Sequence, residues 1–150
     1  MNWSWAVLTK YSLEDIDFET PGLWGVSEID GAIEILDTHG QGALHLSVLK
    51  RTKTDALSES EAQLLVENFA SNNGLVPEAS INSKMQASEA RAIGQFRPIR
   101  PAKETPLHWL VGCVVWPNKA IRASYCTDSL NTENIKLATA VIDSIRIRSL

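Results

Sequence analysis

His108-Trp109-Leu110-Val111-Gly112-Cys113-Val114-Val115-Trp116 is the stretch on which the architecture turns. Apolar residues fill both alternation phases, a pattern that a strand tolerates only when both of its faces are covered. It predicts a central strand, with Trp109 and Trp116 filling the core on its two faces. Pro117-Asn118 supplies turn chemistry, and Ala120 to Cys126 runs back as the partner strand. Here Ile121, Ala123 and Tyr125 share one face and Arg122 and Ser124 the other, so one side of this strand is expected to be wetter. Beyond it, Asn131 caps a predicted helix with an inner stripe of Ile135, Ala138, Ile142 and Ile145, and Leu130 is placed to staple onto Ile135. Arg146-Ile147-Arg148 returns to period two as a short final strand.

The hairpin also decides the state of the two cysteines. With the turn at Pro117 to Lys119, the residue opposite Cys113 falls between Arg122 and Ser124. Cys126 is then displaced by at least ~6 Å along its strand, outside disulfide reach, so both thiols are predicted free, as in a reducing compartment.

Upstream, Trp3, Trp5 and Val7 alternate with Ser4 and Ala6 as an opening strand, followed by an acidic loop from Glu14 to Asp17. In Phe18-Glu19-Thr20-Pro21-Gly22-Leu23-Trp24, the Pro-Gly pair signals a turn between two aromatic anchors. Ala32 to Asp37 and Ala43 to Lys50 read as a hairpin across Gly40-Gln41, pairing Ile33 with Val48, Ile35 with Leu46 and Leu36 with His45. That register keeps Asp37, His39 and His45 from converging as a metal site. Ser58-Glu59-Ser60-Glu61 is a capping box that opens a helix with the apolar stripe Ala62, Leu65, Val66, Phe69 and Ala70, and Gly74 supplies its left-handed stop. Ala87 to Arg97 is a weaker strand whose Ala90, Ala92 and Gly94 let that helix lie close. The basic loop Arg97 to Lys103 reads as a solvated connector.

At 150 residues, 44% hydrophobic and 21% charged, the chain suits one α+β domain: an antiparallel sheet flanked by helices. A net charge of −4 disfavours nucleic-acid binding through a basic surface and suits a basic or neutral partner. No run approaches the ~20 apolar residues of a membrane span, and the opening Met-Asn-Trp-Ser-Trp lacks the regions of a secretory leader, which predicts a cytoplasmic protein.

No G-x-S-x-G, P-loop, H-E-x-x-H, C-x-x-C or G-x-G-x-x-G pattern is present. His108 and Cys113 fall on opposite faces of one strand, and Glu14, Asp15, Asp17 and Glu19 lack an apolar pocket that would separate their roles. The chain is therefore expected not to be an enzyme and to need no cofactor or metal. The alternative is a small ligand-binding protein or hydrolase whose site is assembled from residues distant in sequence.

Phe18-x-x-Pro21-x-x-Trp24, the first hairpin, the capped helix, the hairpin ending at Tyr125 and the helix running into Ser144-Ile145 together resemble the PsbP-like fold. That family includes the photosystem extrinsic protein, a nuclear transport factor that releases nucleotide from Ran, DcrB-type lipoproteins and chaperones of type VI secretion effectors. The resemblance implies an α/β/α sandwich that acts by binding. With five tryptophans in the chain, the residue most enriched in binding hot spots, it implies a bacterial cytoplasmic chaperone, adaptor or immunity-type protein for a secreted effector or toxin. Trp3, Trp5 and Trp24 are the expected partner anchors, and Glu14, Asp15 and Asp17 the steering rim. A homodimer stays open.

Overall fold

In the computed structural model, which describes residues 8–13, 15–22, 24–30, 32–37, 42–103, 106–128 and 132–147, the doubly apolar run is an inner strand with a layer on each face. The elements in chain order are β1 (Leu8–Leu13), β2 (Ile16–Pro21), β3 (Gly25–Ile29), β4 (Ala32–Leu36), β5 (Gly42–Lys50), α1 (Glu59–Asn72), β6 (Leu75–Pro77), β7 (Asn82–Gln86), β8 (Glu89–Pro98), β9 (His108–Val115), β10 (Lys119–Thr127), α2 (Thr132–Asp143) and β11 (Arg146–Ile147). Among the described residues the main sheet has eight strands in the order β3-β4-β5-β10-β9-β8-β6, with β7 also on β8. A smaller sheet, β1-β2-β11, lies apart, and every pairing in both sheets is antiparallel.

Strand β9 shows why both of its phases are apolar. Leu110 and Val114 enter one core with Phe18 of β2 and Ala138, Val141 and Ile142 of α2. Val111, Cys113 and Val115 enter a second core with Ala62, Val66 and Ala70 of α1. Each large apolar side chain buried this way contributes about 1.5–3 kcal/mol. The two tryptophans divide as expected: Trp116 is buried in the α2 core, and Trp109 is half-buried against the α1 core. The turn closes with Trp116 N–H donating to Lys119 O at 2.8 Å. Arg122 stands opposite Cys113 and Cys126 opposite Trp109, and both thiols are free.

Helix α1 starts on Ser58, whose hydroxyl accepts from Glu61 N–H at 3.2 Å, and stops at Gly74, whose φ of +67° is open to glycine at little cost. Only half of the capping box forms. The Glu61 carboxylate turns to Arg51 instead, in a two-pronged contact at 2.7 and 2.8 Å, because a guanidinium outcompetes a backbone N–H for a carboxylate. On α2 the buried positions are Asn134, Ala138, Val141 and Ile142, with Ile145 just beyond, while Ile135 is only half-buried. The inward face is thus rotated slightly from the predicted stripe. Asn131 and Leu130 lie outside the described residues, as do the opening strand and the Gly40-Gln41 turn.

The first hairpin differs from the predicted register by two residues: Ile33 faces Leu46, Ile35 faces Leu44 and Leu36 faces Ala43. A two-residue slip leaves every side chain on the same face, so alternation cannot detect it. The observed register puts buried Asp37 where Tyr125 Oη donates to it at 3.0 Å and Asn134 Nδ2 at 3.2 Å. Of the segment read as an acidic loop, Asp15 is a turn residue and Ile16 and Asp17 already lie within β2. Strands β3, β6 and β7 had no clear sequence signal. Strand β7, for example, is exposed at four of its five positions, so no apolar alternation marks it.

Arg91 ties the sheet to the end of α2. Its guanidinium donates to the carbonyls of Ile142, Asp143 and Ile145 and to Glu89 Oε1 at 2.9 Å, while Glu89 Oε2 accepts from Trp116 Nε1 at 3.0 Å. With Arg91 only 6% exposed, this network satisfies both a buried charge and the last carbonyls of the helix.

Candidate functional site: an open sheet face and the groove beside it

The two faces of the main sheet are covered unequally. On one face lie α2 and the β1-β2-β11 sheet; on the other, α1 crosses β6, β7, β8 and β9. Among the described residues, that second face carries no layer over β3, β4 and most of β5 and β10, whose ends at Leu49 and Ala120 pack in the α1 core. Its surface follows from strand alternation, since residues alternate with those of the α2 core. Three cross-strand rows make it up: Glu34, His45 and Ser124; Leu36, Ala43 and Cys126; and Ala32, Ser47 and Arg122. All are exposed or half-buried, and Leu36 is an exposed large apolar side chain at 43%. Arg122 marks the border with α1, its guanidinium carbon 4.8 Å from the centroid of the Phe69 ring.

Along that border runs a groove of about 240 Å³. Leu49, Val115 and Ala120 line it from the sheet, Leu64 and Leu65 from α1, and Arg51 and Lys53 from the segment after β5. That segment is held by Arg51, which donates to Glu61 and to the carbonyls of Lys53 at 3.1 Å, Asp55 at 2.8 Å and Pro117 at 3.0 Å. The hydrogen bond from Arg51 holds the Glu61 carboxyl below its ordinary range.

Of the predicted partner residues, Trp3, Trp5 and Glu14 lie outside the described residues. Trp24 is not a surface anchor: it is 3% exposed and stacks on Tyr125 with ring centroids 6.2 Å apart. Packing wins because the Pro21-Gly22 turn, closed by Trp24 N–H on Pro21 O at 3.0 Å, folds the indole into the α2 core. Asp15 takes Lys119 Nζ at 2.6 Å, and Asp17 accepts the Ser12 hydroxyl at 2.7 Å. Both belong to the small-sheet layer, on the side of the main sheet away from the open face. Among the described residues, buried Trp24 therefore does not share a surface with Asp15 and Asp17. Leu64 and Lys53, beside the groove, were missed. The Lys50-Arg51-Thr52-Lys53 run and a leucine off the buried Ala62, Val66, Ala70 stripe were the legible signals.

The chemistry available to nucleophilic groups is limited. Burial pushes the Cys113 thiol from an ordinary 9.0 up to about 12, and its sulfur lies 3.2 Å from Ala62 O. Burial, with a smaller contribution from Asp128, also raises Cys126. Neither thiol is a ready nucleophile at neutral pH. His45 does meet a carboxylate, with Nε2 2.9 Å from Glu34, but on the open sheet surface, where the two side chains are 46% and 36% exposed. His108 and Glu78 line a cavity of only about 40 Å³, room for a water molecule or so. Another cavity, of about 310 Å³, lies between β7–β8 and α2, but its buried cation Arg91 is already engaged by Glu89 and the α2 carbonyls. Among the described residues, no group of three His, Cys, Asp or Glu side chains could hold a metal ion, and no helix is long and apolar enough to cross a membrane.

No protein-family model and no curated protein matches the chain. The solution structure of cyanobacterial PsbP from Synechocystis sp. PCC 6803 is similar to it over 95% of this chain and 93% of that one, at 17% identity and a TM-score of 0.66. The chain has a PsbP-like α+β fold. At that identity the likeness concerns the path of the backbone, and function has to be argued from the surface.

Proposed function

We propose that this chain is a non-catalytic protein-binding module, a bacterial cytoplasmic chaperone, adaptor or immunity-type protein for a secreted effector, and that its partner lies on the open face of β3, β4, β5 and β10. The observation that carries the reading is that, among the described residues, part of one sheet face is uncovered while the other face is closed. Four strands of these lengths present roughly 450 Å², and the flank of α1 brings this toward the ~800 Å² per partner of a standard interface. Mixed polar rows with one exposed leucine suit a surface that is soluble alone and covered on association. The effector class comes from the family resemblance.

The test is to purify the tagged chain at native expression, identify its stoichiometric partner by mass spectrometry and rebuild the pair from purified components. Ser124→Trp and Ser47→Lys, which obstruct the face, should each weaken binding at least ~10-fold while the melting temperature holds. Unchanged affinity in both would remove the face from consideration. The competing hydrolase reading draws on the Glu34–His45 pair, with Ser124 opposite His45. Turnover of an ester that Ser124→Ala abolishes would favour it over binding alone.

A further inference from the structure

We infer that the cavity between β7–β8 and α2 is a binding site for a small zwitterion with an apolar side chain, the chemistry of a free aliphatic α-amino acid. It lies on the face of the main sheet opposite the open one, so it stands independently of the protein-binding reading. Its volume of about 310 Å³ is within the range of small-molecule sites, roughly 300–1,000 Å³. The side chains that enter it follow from the register. Arg91 donates to the carbonyls of Ile142 and Asp143, which fixes its face of β8 as the one under α2. Ile93, two residues on, shares that face. Asn82 stands opposite Ile93 and Lys84 opposite Arg91, and directly opposed residues point to the same side. Ser83, between them, points the other way and reaches Gln63 of α1 at 3.4 Å.

The two walls differ in kind. From β7, Lys84 brings a cation that only donates; from α2, Asp143 brings a carboxylate that only accepts. Thr139, one turn before Asp143 on the same flank of the helix, also accepts, because its hydroxyl proton is committed to Ile135 O at 2.8 Å. Lys84 and Asp143 are exposed and neither forms an ion pair among the described residues, so they are not joined to each other across the opening. The neighbouring charges are already matched: Arg91 donates to one Glu89 oxygen, and the other takes Trp116 Nε1. A simple anion would meet Lys84 but be repelled by Asp143, and a simple cation the reverse. A molecule carrying both charges satisfies both walls, and at zero net charge it meets no repulsion from a chain of net charge −4. Between the walls, half-buried Ile93 and buried Ile142 give an aliphatic side chain a surface on which to leave water.

The probe is L-leucine, titrated into the full chain and followed by saturation-transfer NMR. Saturable binding is expected. It should weaken at least ~10-fold in Lys84→Gln and in Asp143→Asn, each of which removes one charge at an exposed position. If either lowers the melting temperature, Lys84→Met or Asp143→Ser takes its place. Isocaproate, which lacks the ammonium, isoamylamine, which lacks the carboxylate, and glycine, which lacks the side chain, should each bind at least ~10-fold more weakly than leucine. The losses are selective: Lys84→Gln should not weaken isoamylamine, nor Asp143→Asn isocaproate. No saturable binding of leucine, isocaproate or isoamylamine matching it, or a leucine affinity unmoved in either charge variant would each overturn the inference. The open face is tested apart, since Ser124→Trp and Ser47→Lys should leave leucine binding unchanged; a loss of leucine in both would place the ligand on that face and overturn the cavity site.

Discussion

The Tyr125 ring lies against the backbone of Gly42 so closely that a Cβ at position 42 would stand 2.4 Å from the phenol oxygen and 2.6 and 2.8 Å from two ring carbons. The same hydroxyl donates to Asp37 Oδ2, which also accepts from Asn134. One residue of β10 thereby sets the start of β5, the end of β4 and the first turn of α2. Gly42→Ala should destabilise the fold by about 1–3 kcal/mol, the cost of forcing a packed ring aside. Adding Tyr125→Phe should give no rescue, because the ring-carbon contacts remain and Asp37 loses a donor. Urea unfolding of both variants checks this; full recovery in the double variant would contradict the geometry.

Arg91→Ala should cost about 3–5 kcal/mol, since it leaves Glu89 charged and largely buried and strips three carbonyls near the end of α2 of their donor. Arg91→Lys, a single-point donor that cannot span those carbonyls, should recover only part. Denaturant melts at neutral pH decide it, and a loss below ~1 kcal/mol in Arg91→Ala would show the network to be dispensable.

Acid should weaken the junction of β5 and α1. The Arg51 contact holds Glu61 below its ordinary 4.5, so the stability it contributes is complete above that value and is lost as pH falls through the lower folded-state value. Comparing melts at neutral pH with melts below the ordinary carboxylate range, the parent should lose more stability than Glu61→Gln. Parallel losses would mean the pair carries no pH dependence.

Cys113, with its thiol pushed up to about 12 by burial in the α1 core, should resist iodoacetamide in the native state and react once denaturant exposes it. Peptide mapping after native and denatured labelling reads each cysteine separately. Rapid native labelling of Cys113 would mean that α1 lifts from the sheet.

Legibility in the sequence followed how local each cause was. The central strand, its hairpin, the free thiols, the Ser58 cap and the Gly74 stop depend on neighbours a few residues apart, and each appears as read. The β4–β5 register did not, because slipping by two residues preserves every face and the deciding partners, Tyr125 and Asn134, lie about ninety residues away. Trp24 was misplaced for a related reason. A tryptophan beside a turn has the same local pattern whether it points to solvent or, as here, stacks on a distant tyrosine.

By itself, the sequence determined the fold class, the core of β9 and β10 and the helix boundaries near Ser58 and Gly74, since periodicity, capping and backbone freedom act within a turn or a strand. Only the tertiary structure decided where a surface lies open. Which strands α1 covers, that Asp15 is drawn to Lys119 of the main sheet, and that Leu49, Ala120 and Leu64 meet around one groove all depend on contacts between segments far apart in the chain. Such surfaces arise from the packing of whole layers, which the residue pattern of any one segment does not encode.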